Sequence, residues 1–441
     1  MKLSTRIFVG MALGVVAGMA LQSFTEAAWV TEVTATGFEK EVLSPDCARA
    51  AWLSPLRMIA DLFLRLLKLL IVPLVLTSII TGVAGIGGGR DFGRLGGKTL
   101  LYYMTTSLLA IGTGMVAVNL MQPGTGAELG LEIPSEFGEG VKGGFGDVLS
   151  RMVPENIFSA VGSNSNMLQI IVFALIFGYF VARTREPHGA RIRNFFESAF
   201  EVMMRMATGI LSLIPYGVFA LTAKVVGETG LGVFAPLASF MLLVIMTLLL
   251  HALITLPCIL KFIGGISPIA WMKAMSPALM TAFSTSSSSM TLPVSMEAVE
   301  RRGGASNRVT SFVMPLGATI NMDGTALYEC VGVLFLSQYY ASHSPAFELT
   351  LGMQFFVVIT ALLASIGAAG IPSAGLVLKA MILKALGLPD DGVLLLLAID
   401  RPLDMLRTVV NVWSDSCGAA LIAKSEGDKI LDQKPTTLSH G

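Results

Sequence analysis

The stretch DMLRTVVNVWSD, residues 404–415, places a row of polar side chains in a region that is otherwise as apolar as a membrane-spanning helix. At about 100° per residue, five of them fall on one stripe roughly 100° wide, and apolar side chains cover most of the remainder. These five are Asp404, Arg407, Thr408, Asn411 and Asp415. A charged residue at the centre of a membrane helix costs roughly 2.5–3.5 kcal/mol on insertion scales, so it faces the bundle interior and has a partner or a function. The stretch therefore predicts a buried polar site, although Asp404 and Arg407 could also form a purely structural ion pair.

The composition of the whole chain is that of a polytopic membrane protein surrounded by lipid. Of its 441 residues, 54% are hydrophobic and only 14% are charged, and the mean hydropathy is +0.73. The net charge is zero, with no long run of one sign, which argues against a nucleic-acid partner. Four scattered cysteines argue against a disulfide framework or a zinc site, and no HExxH or GxSxG spacing occurs. We therefore expect neither an enzyme nor an organic cofactor.

Apolar segments long enough to cross a bilayer predict eight transmembrane helices. The segments are residues 5–24, 56–86, 97–121, 156–182, 198–225, 232–262, 308–338 and 391–424. The first could instead be a cleaved signal peptide, but Gly10, Gly14 and Gly18 have the spacing of a packed membrane helix. Lysine and arginine concentrate in alternate loops, which predicts that both termini are cytoplasmic. We expect the inner membrane of a bacterium.

Two further apolar segments are each divided into two short arms, and they predict re-entrant hairpins. Residues 267–300 surround the serine run 286–289, and residues 351–387 surround a tip rich in glycine, alanine and proline. Non-helical backbone at membrane depth requires protein or water to satisfy its polar groups, so a pair of such hairpins indicates a substrate site near the midplane. The serines could merely solvate a turn, or they could present backbone N–H groups to an anion.

The seventh segment contains GATINMDGTALYE, residues 317–329, which predicts a break in the helix. Gly317, Asn321, Thr325 and Glu329 recur every four residues and share one face, whereas Asp323 would lie on the opposite face of a regular helix. Unwinding around residues 321–323 would bring both faces to one site and expose carbonyl oxygens, which suit small cations. The alternative is a kinked helix with satisfied polar groups. His251, in the sixth segment, is expected to be packed or internally bonded and not to relay protons.

Four motifs in order resemble the dicarboxylate/amino acid:cation symporter family, which includes the glutamate transporters. They are SSSSMTLP at 286–293, NMDGTALYE at 321–329, GAAGIPSAG at 367–375 and DMLRTVVNVWSD at 404–415. The resemblance implies an all-α polytopic fold of eight transmembrane helices plus two opposed re-entrant hairpins, assembled as a homotrimer with an elevator motion. It also implies secondary active import of acidic amino acids, L-aspartate or L-glutamate, in symport with sodium ions.

The same resemblance implies a division of the chain into a scaffold and a mobile transport unit. Residues 1–85 would form scaffold spans 1–2, 86–125 transport-unit span 3, 126–231 scaffold spans 4–5 with their loops, 232–425 the transport core, and 426–441 a cytoplasmic tail.

By position, the resemblance implies a role for each polar residue near the substrate. Arg407 would hold the side-chain carboxylate with the help of Thr325, Asp404 would hold the amino group, and Asn411 the α-carboxylate. Residues of the two hairpins would close over the ligand, namely Ser287, Ser288, Ile371 and Gly375. Thr408 lies on the same stripe with a less defined role.

The resemblance also implies three sodium sites. One comprises Gly317, Asn321, Asn411 and Asp415, a second Thr319, Ser365, Ile366 and Ala368, and a third Tyr103, Thr106, Ser107, Asn321 and Asp323. Glu329 matches a residue associated with proton coupling in animal relatives, and a carboxyl buried in a membrane is readily protonated. Many relatives carry an arginine where this chain has Ser286 or Met405, and Arg401 is a possible substitute.

Two alternatives to an acidic amino acid symporter follow from the same residues. A symporter of this fold could carry C4-dicarboxylates or neutral amino acids, but Asp404 argues against a substrate without an amino group and Arg407 against one without a second carboxylate. An intramembrane serine hydrolase would need a base near the serine run, and the nearest in sequence, Lys273, is predicted to lie toward the cytoplasm.

Overall fold

The fold is mostly helical, and the helices follow the apolar segments of the sequence. The computed structural model describes residues 3–33, 39–44, 46–85, 90–131, 133–134, 153–162, 167–367, 374–390 and 392–431. The helices are α1 (Leu3–Phe24), α2 (Ala48–Ala84), α3 (Arg90–Met121), α4 (Ile157–Val161), α5 (Met167–Arg183), α6 (His188–Leu211), α7 (Ile214–Thr229), α8 (Phe234–Leu250), α9 (Pro268–Thr285), α10 (Ser288–Glu297), α11 (Asn307–Ile320), α12 (Asp323–His343), α13 (Leu351–Gly367), α14 (Ala374–Ala385) and α15 (Gly392–Ser425). Beyond Leu250, α8 continues in π-helical turns, His251–Thr255 and Ile259–Ile263, on either side of Leu256–Cys258.

Length and composition identify membrane-crossing helices among the described residues. Thr5–Phe24, Arg94–Met121 and Gly230–Ile263 each qualify as a span. Helices α6 and α7 qualify only as a pair that is bent by 48°, so the span predicted over 198–225 contains a bend. Pro215 lies in the first turn of α7 and has no N–H group to donate to the preceding turn, which favours the bend. The predicted fourth span is likewise divided between α4 and α5.

The described residues also contain a small sheet between α1 and α2, which the prediction of an all-α fold did not include. Strand β1 (Trp29–Val33) pairs antiparallel with β2 (Glu39–Leu43). WVTEV is rich in the aromatic and β-branched residues that favour strands. A search for long apolar segments cannot detect so short a strand.

Helix α1 packs along α7 through its three glycines. A Cβ atom at Gly10 would lie 2.5 Å from the carbonyl oxygen of Pro215, and one at Gly14 would lie 2.7 Å from that of Phe219. Real Cβ atoms essentially never approach other atoms this closely, so only glycine allows the two backbones to meet. The predicted packing role of the small-residue spacing is confirmed.

The predicted break between α11 and α12 is confirmed. Helix α11 ends at Ile320 and α12 begins at Asp323, while Asn321 (φ −96°, ψ 81°) and Met322 (φ −113°, ψ 60°) leave the helical conformation. A Cβ atom at Gly324 would lie 2.7 Å from the carbonyl oxygen of Arg407, so glycine allows the first turn of α12 to approach α15 closely.

The first predicted hairpin is also present, with the serine run at its tip. Helix α9 ends before Ser286, which adopts a left-handed conformation (φ 52°). Ser287 then caps α10, because its Oγ accepts a hydrogen bond from the backbone N–H of Met290 at 3.2 Å. The arms of the second predicted hairpin are α13 and α14, and its tip, residues 368–373, lies outside the described residues.

Helix α15 lies at the centre of the C-terminal half. It packs against α3, α8, α9, α10, α11, α12 and α14, and so the polar stripe faces other helices on several sides. The five residues of the stripe are all buried. This packing places the stripe beside the α11–α12 break.

Candidate substrate and cation site

Arg407 is buried at the centre of the site and uses only part of its guanidinium in protein contacts. Its Nη2 atom donates to Oδ1 of Asp404 at 2.6 Å and lies 3.4 Å from Oδ1 of Asp400. The guanidinium carbon lies 4.2 Å from the centroid of the Tyr328 ring, within cation–π range. Among the described residues, neither Nε nor Nη1 has a hydrogen-bond partner. The ion pair with Asp404 is therefore real, but it leaves the N–H groups of Nε and Nη1 available to donate to an anion such as a carboxylate.

Asn411 ties α15 to the first turn of α12. Its Oδ1 accepts a hydrogen bond from the backbone N–H of Gly324 at 2.8 Å, and its Nδ2 donates to Oγ1 of Thr325 at 3.1 Å. The hydroxyl of Thr408, by contrast, donates to the backbone carbonyl of Asp404 within α15, at 2.8 Å. The structure therefore brings Asn411 and Thr325 together next to Arg407, whereas Thr408 supports its own helix.

A first cluster of oxygen atoms surrounds Gly317 and Asp415. Nδ2 of Asn321 donates to Oδ1 of Asp415 at 2.9 Å. A Cβ atom at Gly317 would lie 2.5 Å from the same Oδ1 atom and 2.8 Å from the hydroxyl of Tyr103. Three of the four residues predicted for the first sodium site thus meet here, while the side chain of Asn411 is directed toward Gly324 and Thr325.

A second cluster surrounds the carboxylate of Asp323. Its Oδ1 accepts hydrogen bonds from the hydroxyls of Ser107 at 2.6 Å and Thr106 at 3.4 Å. Its Oδ2 accepts one from the hydroxyl of Ser414 at 2.6 Å and lies 3.1 Å from Nε2 of His251. The two clusters are adjacent, because Asn321 also lies 3.3 Å from Thr106 and 3.0 Å from Ser414.

Sequence reasoning left His251 and Ser414 out of the site. The expectation that His251 is internally bonded is confirmed, and its partner is a predicted cation ligand. The π-helical turn that begins at His251 is a conformation frequent at functional sites, but it has no signature in the sequence. Ser414 could have been found, because it precedes Asp415 in the motif.

The remaining predicted cation residues lie on α11 and α13, which pack against each other. The Thr319 hydroxyl donates to the backbone carbonyl of Leu316 at 3.0 Å, and that of Ser365 to Leu362 at 2.8 Å. Ile366 is buried beside Ser365. Ala368, and the predicted substrate residue Ile371, lie outside the described residues.

The two hairpins contribute Ser287, Ser288 and Gly375. Both serines are buried, and α10 packs against α15. Gly375 is buried on the first turn of α14, where a Cβ atom would lie 2.4 Å from Nη1 of Arg407. Glycine at this position therefore allows the guanidinium to lie directly against the second hairpin.

Further charged residues surround Arg407, and the sequence did not identify all of them. Nη1 of Arg401 lies 3.4 Å from Oδ2 of Asp404, so Arg401 does reach the site. Asp400 and Lys379 were missed, and both are buried. Asp400 lies one turn before Asp404, a spacing that extends the stripe. Glu329 is fully buried, and neither of its carboxyl oxygens has a hydrogen-bond partner among the described residues.

A separate charged cluster joins the end of α15 to the start of α3. Oε1 of Glu426 lies 2.7 Å from Nζ of Lys98, and Arg94 pairs with the other carboxylate oxygen. The hydrogen bond from Lys98 holds the pKa of the Glu426 carboxyl below its ordinary value. These ion pairs fix α3, which carries Thr106 and Ser107, against α15.

Broken helices, a hairpin whose tip is buried and convergent polar groups define a membrane transport protein. The sequence matches the sodium:dicarboxylate symporter family over residues 3–425, and the chain belongs to that family. The family predicted from the four motifs is thereby confirmed.

Named relatives include bacterial and animal transporters. The chain is 32% identical over 432 residues to the proton/sodium-glutamate symport protein of Geobacillus stearothermophilus, covering 96% of this chain and 94% of the relative. It is 33% identical over 433 residues to an excitatory amino acid transporter of Caenorhabditis elegans, covering 86% and 84%. It is also 32% identical over 415 residues to excitatory amino acid transporter 3 of Homo sapiens, covering 82% and 78%.

Proposed function

We propose that the chain is a secondary active symporter that imports L-aspartate or L-glutamate together with sodium ions. The observation that carries the proposal is the buried guanidinium of Arg407, which has two donors without a hydrogen-bond partner among the described residues. Although Asp404 and Asp400 already pair with Arg407, its two unpartnered buried N–H donors need acceptors, and a substrate carboxylate supplies one. The names of the relatives, which are glutamate symporters and excitatory amino acid transporters, support an acidic amino acid as the substrate.

In this proposal the residues around Arg407 recognise the other groups of the substrate. The Asp404 carboxylate accepts hydrogen bonds from the ammonium group of the substrate. Asn411 and Thr325 donate hydrogen bonds to the carboxylates of the substrate. The hairpin residues cover the ligand, namely Ser287, Ser288, Ile371 and Gly375. Thr408 holds the backbone of Asp404 in place through its hydrogen bond. The presence of both Asp404 and Arg407 favours an acidic amino acid over a C4-dicarboxylate or a neutral amino acid.

Sodium ions are carried as cargo at the three predicted groups of ligands. Two of these groups are supported by the close oxygen clusters at Asp415 and Asp323, since hard cations prefer carboxylate, carbonyl and hydroxyl oxygens. The third, Thr319, Ser365, Ile366 and Ala368, is supported by the packing of α11 against α13. We further propose that Glu329 carries a proton in the same cycle, because a buried carboxyl without a hydrogen-bond partner is costly in its ionised form.

The wider architecture belongs to the same proposal. It comprises eight spans and two opposed hairpins, a homotrimer built on the scaffold spans, and an elevator motion of the transport core in a bacterial inner membrane, with both termini cytoplasmic. The packing of α3, α8–α12 and α14 around α15 supports the transport core, and that of α1 and α2 against α7 supports the scaffold.

Uptake into proteoliposomes tests the function directly. An inward sodium gradient is expected to drive accumulation of radiolabelled L-aspartate or L-glutamate, and collapse of the gradient should abolish it. Arg407→Cys should lower acidic amino acid uptake by at least about 100-fold, because a charge-assisted hydrogen bond of about 1.5–3 kcal/mol is lost and the buried Asp400 and Asp404 lose their cationic partner. Neutral amino acid uptake should be spared or created. Arg205→Cys is the matched control, since Arg205 lies in an exposed ion pair. Unchanged aspartate uptake by Arg407→Cys would refute the assigned role.

A further inference from the structure

Lys379 is a buried cation to which neither the sequence nor the mechanism above assigns a function. It lies on α14 one turn after Gly375, and its side chain is fully buried. Its ammonium group lies 3.5 Å from the centroid of the Tyr328 ring. Among the described residues, Nζ has neither a hydrogen-bond partner nor a carboxylate within ion-pair distance. An ammonium group that is buried without such a partner is unfavourable, and an anion bound beside it would stabilise its charged form.

Lys379 and Arg407 face the same point. A Cβ atom built on Gly375 would lie 2.4 Å from Nη1 of Arg407 and 3.6 Å from Nζ of Lys379. Both cations also contact the ring of Tyr328. Two buried nitrogen atoms without hydrogen-bond partners among the described residues, Nη1 of Arg407 and Nζ of Lys379, therefore converge beside the second hairpin.

Two glycines, at positions 332 and 375, leave the space that the Lys379 side chain occupies. A Cβ atom at Gly332 would lie 2.5 Å from Cδ of Lys379, closer than real Cβ atoms come. Glycine at 332 therefore accommodates the aliphatic stem, and glycine at 375 leaves space between the two cationic heads. Asp400, Asp404 and Glu329 are the acidic groups of this region that interact electrostatically with the ammonium. Asp400 and Asp404 already pair with Arg407.

We infer that Lys379 is a second cationic contact for the side-chain carboxylate of the substrate and a specificity-determining residue. The inference rests on the proposed function, because it assumes that Arg407 holds this carboxylate. With two buried cations facing one carboxylate, a neutral amino acid leaves both without an anion. Lys379 thus increases the preference for acidic over neutral substrates.

Substrate affinity of the purified protein at saturating sodium tests the inference. Lys379→Met keeps the length of the side chain and removes its charge. The Kd for L-aspartate and L-glutamate should rise about 10- to 100-fold, the effect of losing one hydrogen bond to a charged group. Affinity for L-serine and L-asparagine should not fall, so the acidic-to-neutral selectivity ratio should fall by the same factor. Lys384→Met is the matched control, because Lys384 lies on the same helix and is partly exposed beside Asp390.

Further variants distinguish recognition from a structural role. Lys379→Arg should keep affinity for acidic substrates within about threefold of the wild type, since the charge is retained, whereas Lys379→Gln should lose it as Lys379→Met does. An increase in Tm on addition of sodium, without amino acid, shows that a variant is folded. If Lys379→Met does not fold, the substrate affinity of Lys379→Gln tests the inference in its place. Unchanged affinity of the neutral variants for acidic substrates, or an equal loss for acidic and neutral ones, would overturn the inference. Failure of the wild type to bind either acid would instead remove the proposed function on which it rests.

Discussion

Replacing Gly317 by alanine should weaken sodium coupling without changing any charge. A Cβ atom at this position would lie 2.5 Å from Oδ1 and 2.7 Å from Cγ of Asp415, and 2.8 Å from the Tyr103 hydroxyl. Under the proposed function, these atoms line a sodium site. The new methyl group would occupy the side of the carboxylate from which a cation would be coordinated.

The size of the effect follows from these distances. Carbon in van der Waals contact lies about 3.5 Å from a neighbouring heavy atom, so the Asp415 carboxylate must move by about 1 Å. That movement disrupts its hydrogen bond of 2.9 Å with Asn321. A hydrogen bond to a charged group is worth about 1.5–3 kcal/mol, so the sodium concentration for half-saturation should rise about 10- to 100-fold. Helix propensity favours alanine by about 0.5–1 kcal/mol, which opposes any loss of folding stability.

Sodium titration of aspartate binding to the purified protein measures this effect. Because sodium and substrate binding are linked, the apparent aspartate affinity at low sodium should fall by a comparable factor and recover at high sodium. Gly112→Ala is the matched control: no atom of the described residues lies within 4 Å of its added Cβ. A sodium midpoint within about twofold of the wild type in Gly317→Ala would refute a cation site at this position.

Three further substitutions test other parts of the molecule. Glu329→Gln should remove the stimulation of uptake by an inward proton gradient, because the amide cannot carry a proton; an unaltered pH profile of uptake would contradict a role in proton coupling. Gly14→Val should destabilise the packing of α1 on α7 by about 1–3 kcal/mol, measured as a lower Tm in detergent. Glu426→Gln should lower stability by on the order of 1 kcal/mol or less, since its cationic partners are partly exposed. The pKa of Glu426 is lowered in the folded state, so its contribution is present above its ordinary pKa and lost as pH falls through the lowered value; the Tm difference between the two proteins should vanish on acidification.

The sequence predicted those parts of the fold that depend on long apolar segments and on breaks within them. Helix α15, the serine tip of the first hairpin and the unwound residues 321 and 322 all follow from local composition and spacing. The small sheet and the 48° bend between α6 and α7 were not predicted. Both depend on short-range backbone geometry that hydropathy over a long window averages away.

The candidate site was predictable along each helix but not between helices. Spacing shows that Arg407 and Asn411 share a face, and the unwound segment shows why Asn321 and Asp323 can meet. Spacing cannot show which residue of another helix lies opposite. Lys379 was missed for this reason. A single lysine in an apolar arm forms no periodic pattern in the sequence, and only the structure shows that it lies near Arg407.

The geometry of the α11–α12 break also suggests how sodium and substrate binding are linked. The backbone N–H of Asn321 makes the last hydrogen bond of α11, to the carbonyl of Gly317 at 2.9 Å, and its side chain contacts Asp415 and Ser414 in the proposed cation cluster. Three residues later, the N–H of Gly324 is held by Asn411, whose other side-chain atom contacts Thr325 on the substrate side. A cation that orders the oxygens around Asn321 would therefore fix the short segment that positions Thr325 and Asn411. Ordering this segment has an entropic cost. If binding of the first ligand already orders it, the second ligand binds more tightly. Coupling of this kind requires no contact between sodium and the amino acid.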